Sequence, residues 1–224
     1  ALWQHPFLFF ESIGYFLHHQ WPGTVYYLGQ LYPATSVPWH YAPVYLFLET
    51  PLLIFASFLL GLSLAAKKLP HEKHLEYLLL LSWVLIPLAI EMKPSTVIYN
   101  GIRQFFILVP AVFILASIGL VSVVKKIEEK VPKYPRIVFP IVGGIIILAL
   151  LVQSFALHPY ESIYMNEAVQ VLIPEHLEEH FDMDYWGLTF REGLEYIART
   201  DASEKIPVAF LYNNETVIRI LSQD

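Results

Sequence analysis

The stretch VPWHYAPVYLFLETPLL, residues 37–53, decides how we interpret this chain, because it opens an apolar run with unusual polarity. The run itself spans 42–66, long enough at roughly 20 residues to cross a bilayer, and only Glu49 interrupts it. A carboxylate at the bilayer centre costs roughly 2.5–3.5 kcal/mol, and less near the surface. We therefore expect Glu49 to face a polar cavity or a partner and not lipid.

The composition indicates that lipid is the solvent for much of the chain. Of 224 residues, 56% are hydrophobic and only 15% are charged, and the mean hydropathy is +0.50. Soluble domains average about 25% charged residues. The net charge of −6 argues against nucleic acid as a partner, and the absence of cysteine excludes disulfides and thiolate metal sites.

Four apolar runs predict a polytopic α-helical membrane protein whose transmembrane region covers 42–157. The predicted spans are 42–66, 75–92, 104–124 and 137–157. Pro87 and Pro110 lie inside two of them, which membrane helices tolerate when neighbouring groups satisfy the freed carbonyls.

Basic residues set the orientation, since they collect on the cytoplasmic side. Two groups flank the span ends, namely Lys67, Lys68 and Lys73, and Lys125, Lys126, Lys130, Lys133 and Arg136. The opposite side has only Lys93 and Arg103 near the membrane. We expect 1–41, the 93–103 loop and 158–224 to be extracytoplasmic, in the cell membrane or the endoplasmic-reticulum membrane.

The first extracytoplasmic segment, 1–41, is predicted to combine two elements. HPFLFFESIGYFLHHQWPG has only a short apolar run and suits a helix lying in the membrane interface. WPGTVYYLGQLYPATSVPW is a Pro/Gly-punctuated aromatic loop, which suggests a lid or floor for a substrate.

The tail, 158–224, is predicted to be a small acidic α/β outer domain that is cut off at Asp224. It has 13 acidic residues against four basic ones, a charge near −9. The capping box Thr189-Phe190-Arg191-Glu192 predicts a helix whose buried stripe is Phe190, Leu194 and Ile197. A strand at 207–212 and a turn at Asn213-Asn214 should follow.

Three motifs together resemble a family of membrane glycosyltransferases. They are WPGTVYYLGQLYPATSVPWHYAPVYLFLETPLL, YNGIRQFFILVPAVFILASIGL and HPYESIYMNE…DMDYWGLTFREGLEY. The combination is similar to carrier-lipid-dependent glycosyltransferases of the GT-C fold, of the protein O-mannosyltransferase-like and aminoarabinose-transferase-like group. The resemblance implies transfer of a sugar from a polyprenyl- or dolichyl-phosphate donor to a protein, lipid or glycan acceptor. It also implies a catalytic Asp in the first outer loop, upstream of residue 1, so that this chain would be the C-terminal half.

The resemblance also assigns substrate-binding residues. Arg103 matches the basic residue that opens the family's span, where its guanidinium could hold phosphate bidentately or simply snorkel to the headgroups. His40 and Tyr41 match the aromatic pair after Pro-Trp, and His5 is a further candidate in the same loop. Glu49 and Lys93 are also candidate substrate-binding residues. Glu49 departs from the family pattern, so its role is not carried over from the family and stays open between an ion pair with Arg103 or Lys93 and a catalytic acid.

Three other motifs are read as ordinary structure. Asp182-Met183-Asp184 resembles a metal-binding DxD but lies in an acidic tail without a nucleotide-binding fold. His176 and His180 have zinc-like i,i+4 spacing but no third ligand in the sequence pattern. Asn214-Glu215-Thr216 is a glycosylation sequon on the predicted outer side.

Two rival functions stay open at this stage. The chain could be a non-catalytic scaffold subunit of a larger membrane complex, or a transporter, for which intramembrane acids and prolines also speak. No residue pattern requires a metal, although a divalent cation could assist at the phosphate.

Overall fold

A computed structural model describes residues 7–18, 21–69, 74–131, 135–173, 177–184 and 187–200. In these ranges the protein is mostly helical, with one two-stranded sheet. The helices are α1 (Leu8–His18), α2 (Tyr41–Leu48), α3 (Leu52–Lys68), α4 (His74–Glu91), α5 (Val109–Lys130), α6 (Pro135–Leu157), α7 (Glu167–Leu172) and α8 (Phe190–Thr200). Strands β1 (Thr24–Tyr27) and β2 (Gln30–Pro33) form the sheet, and 3₁₀ turns cover Gly101–Leu108, Glu161–Ile163 and Leu177–Glu179.

The chain divides into two compact units. The first comprises Ala1–Lys126 and Met165–Asp182, and the second comprises Ile127–Tyr164 and Met183–Asp224.

Two described helical segments are long and apolar enough to cross a membrane. Gly101–Lys130, the 3₁₀ turn together with α5, contains an 18-residue stretch with a mean hydropathy of 2.7, and Ile137–Leu157 of α6 contains one with 2.5. These correspond to the third and fourth predicted spans, although the third begins three residues earlier and continues six residues further than predicted. Because the apolar window of α6 is unburied within the described protein, its surface suits lipid or a partner helix.

The first predicted span is broken in two. α2 ends at Leu48 and α3 begins at Leu52, after Pro51, which has no N–H to continue the helical ladder. α3 has 17 residues and α4, which covers the second predicted span, has 18. Whether α3 and α4 cross the membrane therefore stays a prediction.

A distant segment supplies hydrogen bonds to the backbone groups at this break. The side-chain amide of Asn166 donates to the carbonyl of Phe47, and the Asn166 N–H donates to the carbonyl of Leu48 at 2.7 Å. The carboxylate of Glu167 accepts from the N–H of Leu52 at 3.0 Å. Asn166 is fully buried, and its Oδ1 also caps α7. The break is stable because residues more than 110 positions away complete its hydrogen bonding.

α3 and α5 contact each other through glycine. A Cβ built on Gly61 would overlap the carbonyl of Leu115, and one built on Gly119 would overlap the carbonyl of Ser57. The two backbones can approach this closely only because both residues lack a side chain. This contact fixes α3 against a helix that is apolar enough to span the membrane.

The aromatic segment 21–39 contains a β-hairpin that the sequence did not predict. β1 and β2 pair antiparallel, with Tyr27 opposite Gln30, and Leu28 and Gly29 form the turn with φ of 51° and 77°. Two left-handed residues define the type I′ turn that suits a hairpin. A helix is present where the interfacial helix was predicted, as α1, and its position at a membrane interface stays a prediction. Phe9 and Phe10 on α1, and Phe7 just before it, are exposed.

In the second unit, the predicted helix after Thr189 is present as α8, Phe190–Thr200. Phe190, Leu194 and Ile197 are half-buried, so the predicted stripe is the less exposed face of the helix. Thr189 Oγ1 donates to Asp184 at 2.6 Å, so this hydroxyl bonds outside the predicted capping box. The strand predicted at 207–212 lies outside the described residues.

Candidate functional site

A buried aromatic cluster lies where the hairpin meets the start of α2. The rings of Tyr27, Tyr41 and Tyr45 are fully buried and lie 4.3–6.0 Å apart between centroids. Phe181 packs at 6.1 Å from Tyr27 and 6.0 Å from Tyr45. These aromatic side chains have only two rotatable χ angles each and pack closely on one another, so we expect the cluster to be rigid. We call it the aromatic floor, because His40 lies at its edge.

Segment 179–182 adds to the hairpin and closes this floor. Two hydrogen bonds join Tyr26 and Asp182. The Tyr26 N–H donates to Asp182 Oδ2 at 2.9 Å, and the Asp182 N–H donates to the Tyr26 carbonyl at 3.1 Å. Burial raises the pKa of Asp182, and the hydrogen bond from the Tyr26 N–H opposes that rise. Asp182 is therefore placed as a structural partner of the strand.

His40 sits at the rim of the cluster. It is the residue before α2, and its Nδ1 lies 2.7 Å from the hydroxyl oxygen of Tyr27. The side chain is half-buried and meets Trp39 edge to face at 5.5 Å. One edge of the imidazole is therefore held by a buried phenol.

Tyr41 and Glu49 connect α2 to the turn that begins at Gly101. The N–H of Gly101 donates to the Tyr41 hydroxyl at 3.0 Å, and the N–H of Ile102 donates to Glu49 Oε2 at 3.3 Å. Gly101 has a φ of +63°, and a Cβ there would overlap the Glu49 carboxylate. A backbone N–H therefore binds the Glu49 carboxylate, and the expected ion pair of Glu49 with Arg103 or Lys93 stays a prediction.

Arg103 lies on the exposed side of the same turn. Its guanidinium carbon is 5.8 Å from the ring centroid of Tyr99, and Tyr99 in turn stacks on Trp21 at 4.3 Å. The stacked rings hold a cation at the entrance of the apolar segment Gly101–Lys130. Arrangements of this kind suit recognition of an anionic group next to an apolar chain.

The predicted site residues are brought together in part. His40 and Tyr41 are adjacent, and the Tyr41–Gly101 bond places them beside the turn that carries Glu49's partner and Arg103. Lys93 is exposed just beyond α4, and no described contact ties it to this group. His5 and Asn214 lie outside the described residues.

The motifs set aside in the sequence are structural where they are described. Asp182 binds Tyr26, whereas Asp184 accepts from the N–H groups of Leu188 and Thr189 at 2.9 and 2.7 Å. Partial burial opposes ionisation of Asp184, but the hydrogen bonds from Thr189, Leu188 and Gly187 outweigh it and lower its pKa. No group of three or more metal-ligating side chains occurs within the described ranges. His176 lies outside them, so the His176–His180 pair is untested.

Sequence reasoning did not identify Tyr27, Gly101, Asn166 or Glu167 as residues that build this region. Gly101 had a local signal, since Asn-Gly pairs favour left-handed turns. The other three act through contacts with distant segments, for which a single sequence has no local signal.

Comparisons with protein-family models, with curated proteins and with solved structures find no match to this chain.

Proposed function

We propose that the protein transfers a sugar from a polyprenyl- or dolichyl-phosphate donor to an acceptor at the outer face of a membrane. The observation that carries the proposal is the placement of Arg103. Its exposed guanidinium lies against Tyr99, which stacks on Trp21, at the start of the helical segment Gly101–Lys130, which contains an apolar stretch long enough to cross a membrane. A lipid phosphate presents an anion at the interface and an apolar chain below it, and this arrangement offers a partner to each part.

The floor next to Arg103 supports the proposal. His40 precedes α2 and Tyr41 begins it, and the Tyr41–Gly101 hydrogen bond ties them to the turn that carries Arg103. Sugar rings bind well to aromatic faces flanked by hydrogen-bond donors. The exposed Trp39, which meets His40 at 5.5 Å, offers such a face, whereas the buried cluster supports these two residues from beneath. The reaction would be a single displacement with inversion, in which the lipid monophosphate leaves and general-base activation of the acceptor comes from outside this chain's described residues.

The membrane architecture belongs to the same proposal. We place α3 and α4 as the first two spans and the segments around α5 and α6 as the third and fourth, with the hairpin and 158–224 outside. The α3–α5 glycine contact favours α3 at membrane depth, since small residues at crossings are typical of membrane helices.

Binding of dolichyl monophosphate tests the function directly. We expect Arg103→Ala to weaken binding about 10- to 100-fold, because a hydrogen bond to a charged group contributes roughly 1.5–3 kcal/mol. The measurement is titration of the protein in detergent with fluorescent dolichyl monophosphate. Arg191→Ala is the matched control, since Arg191 pairs with Glu195 on α8 at 3.0 Å and plays no part in the proposed site.

Equal binding by the wild type and the Arg103→Ala variant would remove the guanidinium from the site. Loss of binding in both arginine variants would instead indicate a general charge effect. Arg103→Lys separates the two modes of holding phosphate, because lysine keeps the charge but not the planar fork.

A non-catalytic scaffold subunit is the second candidate, and one observation favours it. The three acids that the sequence singled out all accept backbone N–H bonds: Glu49 from Ile102, Asp182 from Tyr26 and Asp184 from Leu188 and Thr189. A scaffold would keep these bonds and bind no lipid phosphate, so the same titration separates the two functions.

A further inference from the structure

Tyr27 makes a hydrogen bond whose direction can be deduced. Its ring is fully buried, and among the described residues the hydrogen-bonding partner of its hydroxyl is Nδ1 of His40, at 2.7 Å. Rings of Tyr32, Tyr41, Tyr45 and Phe181 surround it at 5.0–6.4 Å. The hydroxyl therefore cannot turn to water without moving this cluster.

The phenol must act as the donor. Burial, with a smaller effect from Tyr32, raises the pKa of Tyr27, so the hydroxyl keeps its hydrogen. A buried O–H without an acceptor costs about 1–3 kcal/mol. If Nδ1 carried the imidazole hydrogen, it would donate to the phenol oxygen, and the Tyr27 O–H would then point away from His40 and have no acceptor among the hydrogen bonds described for this residue. The bond is satisfied when Tyr27 donates and Nδ1 accepts.

This direction determines which imidazole nitrogen carries the hydrogen. A neutral imidazole has one N–H donor and one acceptor nitrogen. With Nδ1 as acceptor, the hydrogen lies on Nε2, at the opposite edge of the ring. His40 is half-buried, so the ring is held at one edge by Tyr27 while part of it remains accessible.

We propose that Tyr27 is a positioning residue that holds His40 in the Nε2–H tautomer, so that Nε2 donates a hydrogen bond to the phosphate of the lipid-linked donor. The inference rests on the proposed function and names a specific contact within it. Tyr41, the next residue, is bonded to Gly101 at 3.0 Å, which places His40 on the segment adjoining Arg103. The Arg103 guanidinium and the His40 Nε2–H would then bind one phosphate from two segments. The charge of Arg103 would attract the phosphate, and the directional hydrogen bond from His40 would orient it.

The first experiment measures the tautomer without any lipid. Nitrogen-15 chemical shifts of the imidazole distinguish Nδ1–H from Nε2–H, and His40→Gln assigns the resonance among nine histidines. We expect the Nε2–H form in the wild type and a mixture of tautomers in Tyr27→Phe, which keeps the ring and removes the hydroxyl. An Nδ1–H form in the wild type, or an unchanged spectrum in Tyr27→Phe, would overturn the inference.

The second experiment measures binding of dolichyl monophosphate to two amide variants. Glutamine places its amide nitrogen close to the position of Nε2, whereas asparagine reaches only as far as Nδ1. We expect His40→Gln to bind nearly as well as the wild type and His40→Asn to bind about 10- to 100-fold more weakly. Thermal unfolding of both variants shows whether each one folds.

The outcomes separate this inference from the function it rests on. If the wild type binds no dolichyl monophosphate, both fail. If the wild type binds and Arg103→Ala does not, but His40→Asn binds as well as the wild type, the function stands and the role of His40 is wrong. Equal weakening in His40→Gln and His40→Asn would likewise exclude donation from Nε2.

Discussion

At the scale of single residues, Gly101 links the break after α2 to the turn that leads into α5. Its φ of +63° belongs to the left-handed region, and the space where its Cβ would stand is filled by the Glu49 carboxylate. Asn100 before it also has a positive φ, of 61°. The two peptide N–H groups that follow this geometry, those of Gly101 and Ile102, bind Tyr41 and Glu49. Because Gly101 has no Cβ, the Glu49 carboxylate at the end of α2 can lie close enough to this turn to accept its hydrogen bond.

We expect Gly101→Ala to destabilise the protein. The left-handed conformation alone costs about 1–2 kcal/mol for a residue with a Cβ, and displacement of Glu49 adds to that cost. In a Glu49→Ala background the second contribution disappears and the first persists, which a double-mutant cycle measures. The measurement is the free energy of unfolding in detergent. Gly193→Ala is the control, because nothing lies within 4 Å of its added Cβ on α8.

At the scale of secondary-structure elements, the contact between α3 and α5 depends on backbone proximity. Gly61 meets the Leu115 carbonyl and Gly119 meets the Ser57 carbonyl, so any Cβ would press on main chain that cannot rotate away. On α6 the opposite holds, since nothing lies within 4 Å of Gly143 or Gly144. The same residue type therefore has different consequences on the two helices.

We expect Gly61→Ala and Gly119→Ala to destabilise the protein, by about 1–3 kcal/mol each, because overpacking forces the helices apart. Gly143→Ala and Gly144→Ala should instead be neutral or stabilising by up to about 1 kcal/mol, since alanine is the better helix former. Thermal unfolding of all four variants measures the difference. Destabilisation of the same size on α6 would mean that the close contact is not the cause.

At the scale of the whole molecule, the apolar helices could be predicted from local composition, whereas most contacts of the candidate site could not. The apolar runs, α1 and α8 were predicted because hydropathy and capping signals lie within each segment. The hairpin was missed because Leu28 occupies a left-handed turn position that leucine rarely takes. His40, Tyr41 and Arg103 were identified through a resemblance, whereas Tyr27 and Asn166 could not be, because their partners lie 13 and 119 residues away.

The absence of cysteine makes the four-span arrangement directly testable. Single cysteines replace exposed residues, namely Ser36, Lys68, Lys126 and Glu161, and intact cells are treated with a membrane-impermeant maleimide. We expect Ser36→Cys and Glu161→Cys to react from outside, and Lys68→Cys and Lys126→Cys to react only after permeabilisation. The unsubstituted protein provides the background, since it has no thiol.

Two spans instead of four would give a different pattern. If only the segments around α5 and α6 cross, positions 36, 68 and 161 lie on one side and position 126 on the other. Labelling of Lys68→Cys from outside, together with protection of Lys126→Cys, would therefore overturn the four-span arrangement.

The break between α2 and α3 also constrains the order of events during synthesis. Glu167 leaves the ribosome 115 residues after Leu52, and Asn166 follows Phe47 by 119. In the proposed four-span arrangement, the peptide groups on either side of Pro51 must until then be hydrated or bound by the insertion machinery, because hydrocarbon has no hydrogen-bonding groups to offer them. The nascent α2–α3 pair thus acquires its final form only after every apolar helix that follows it has been translated.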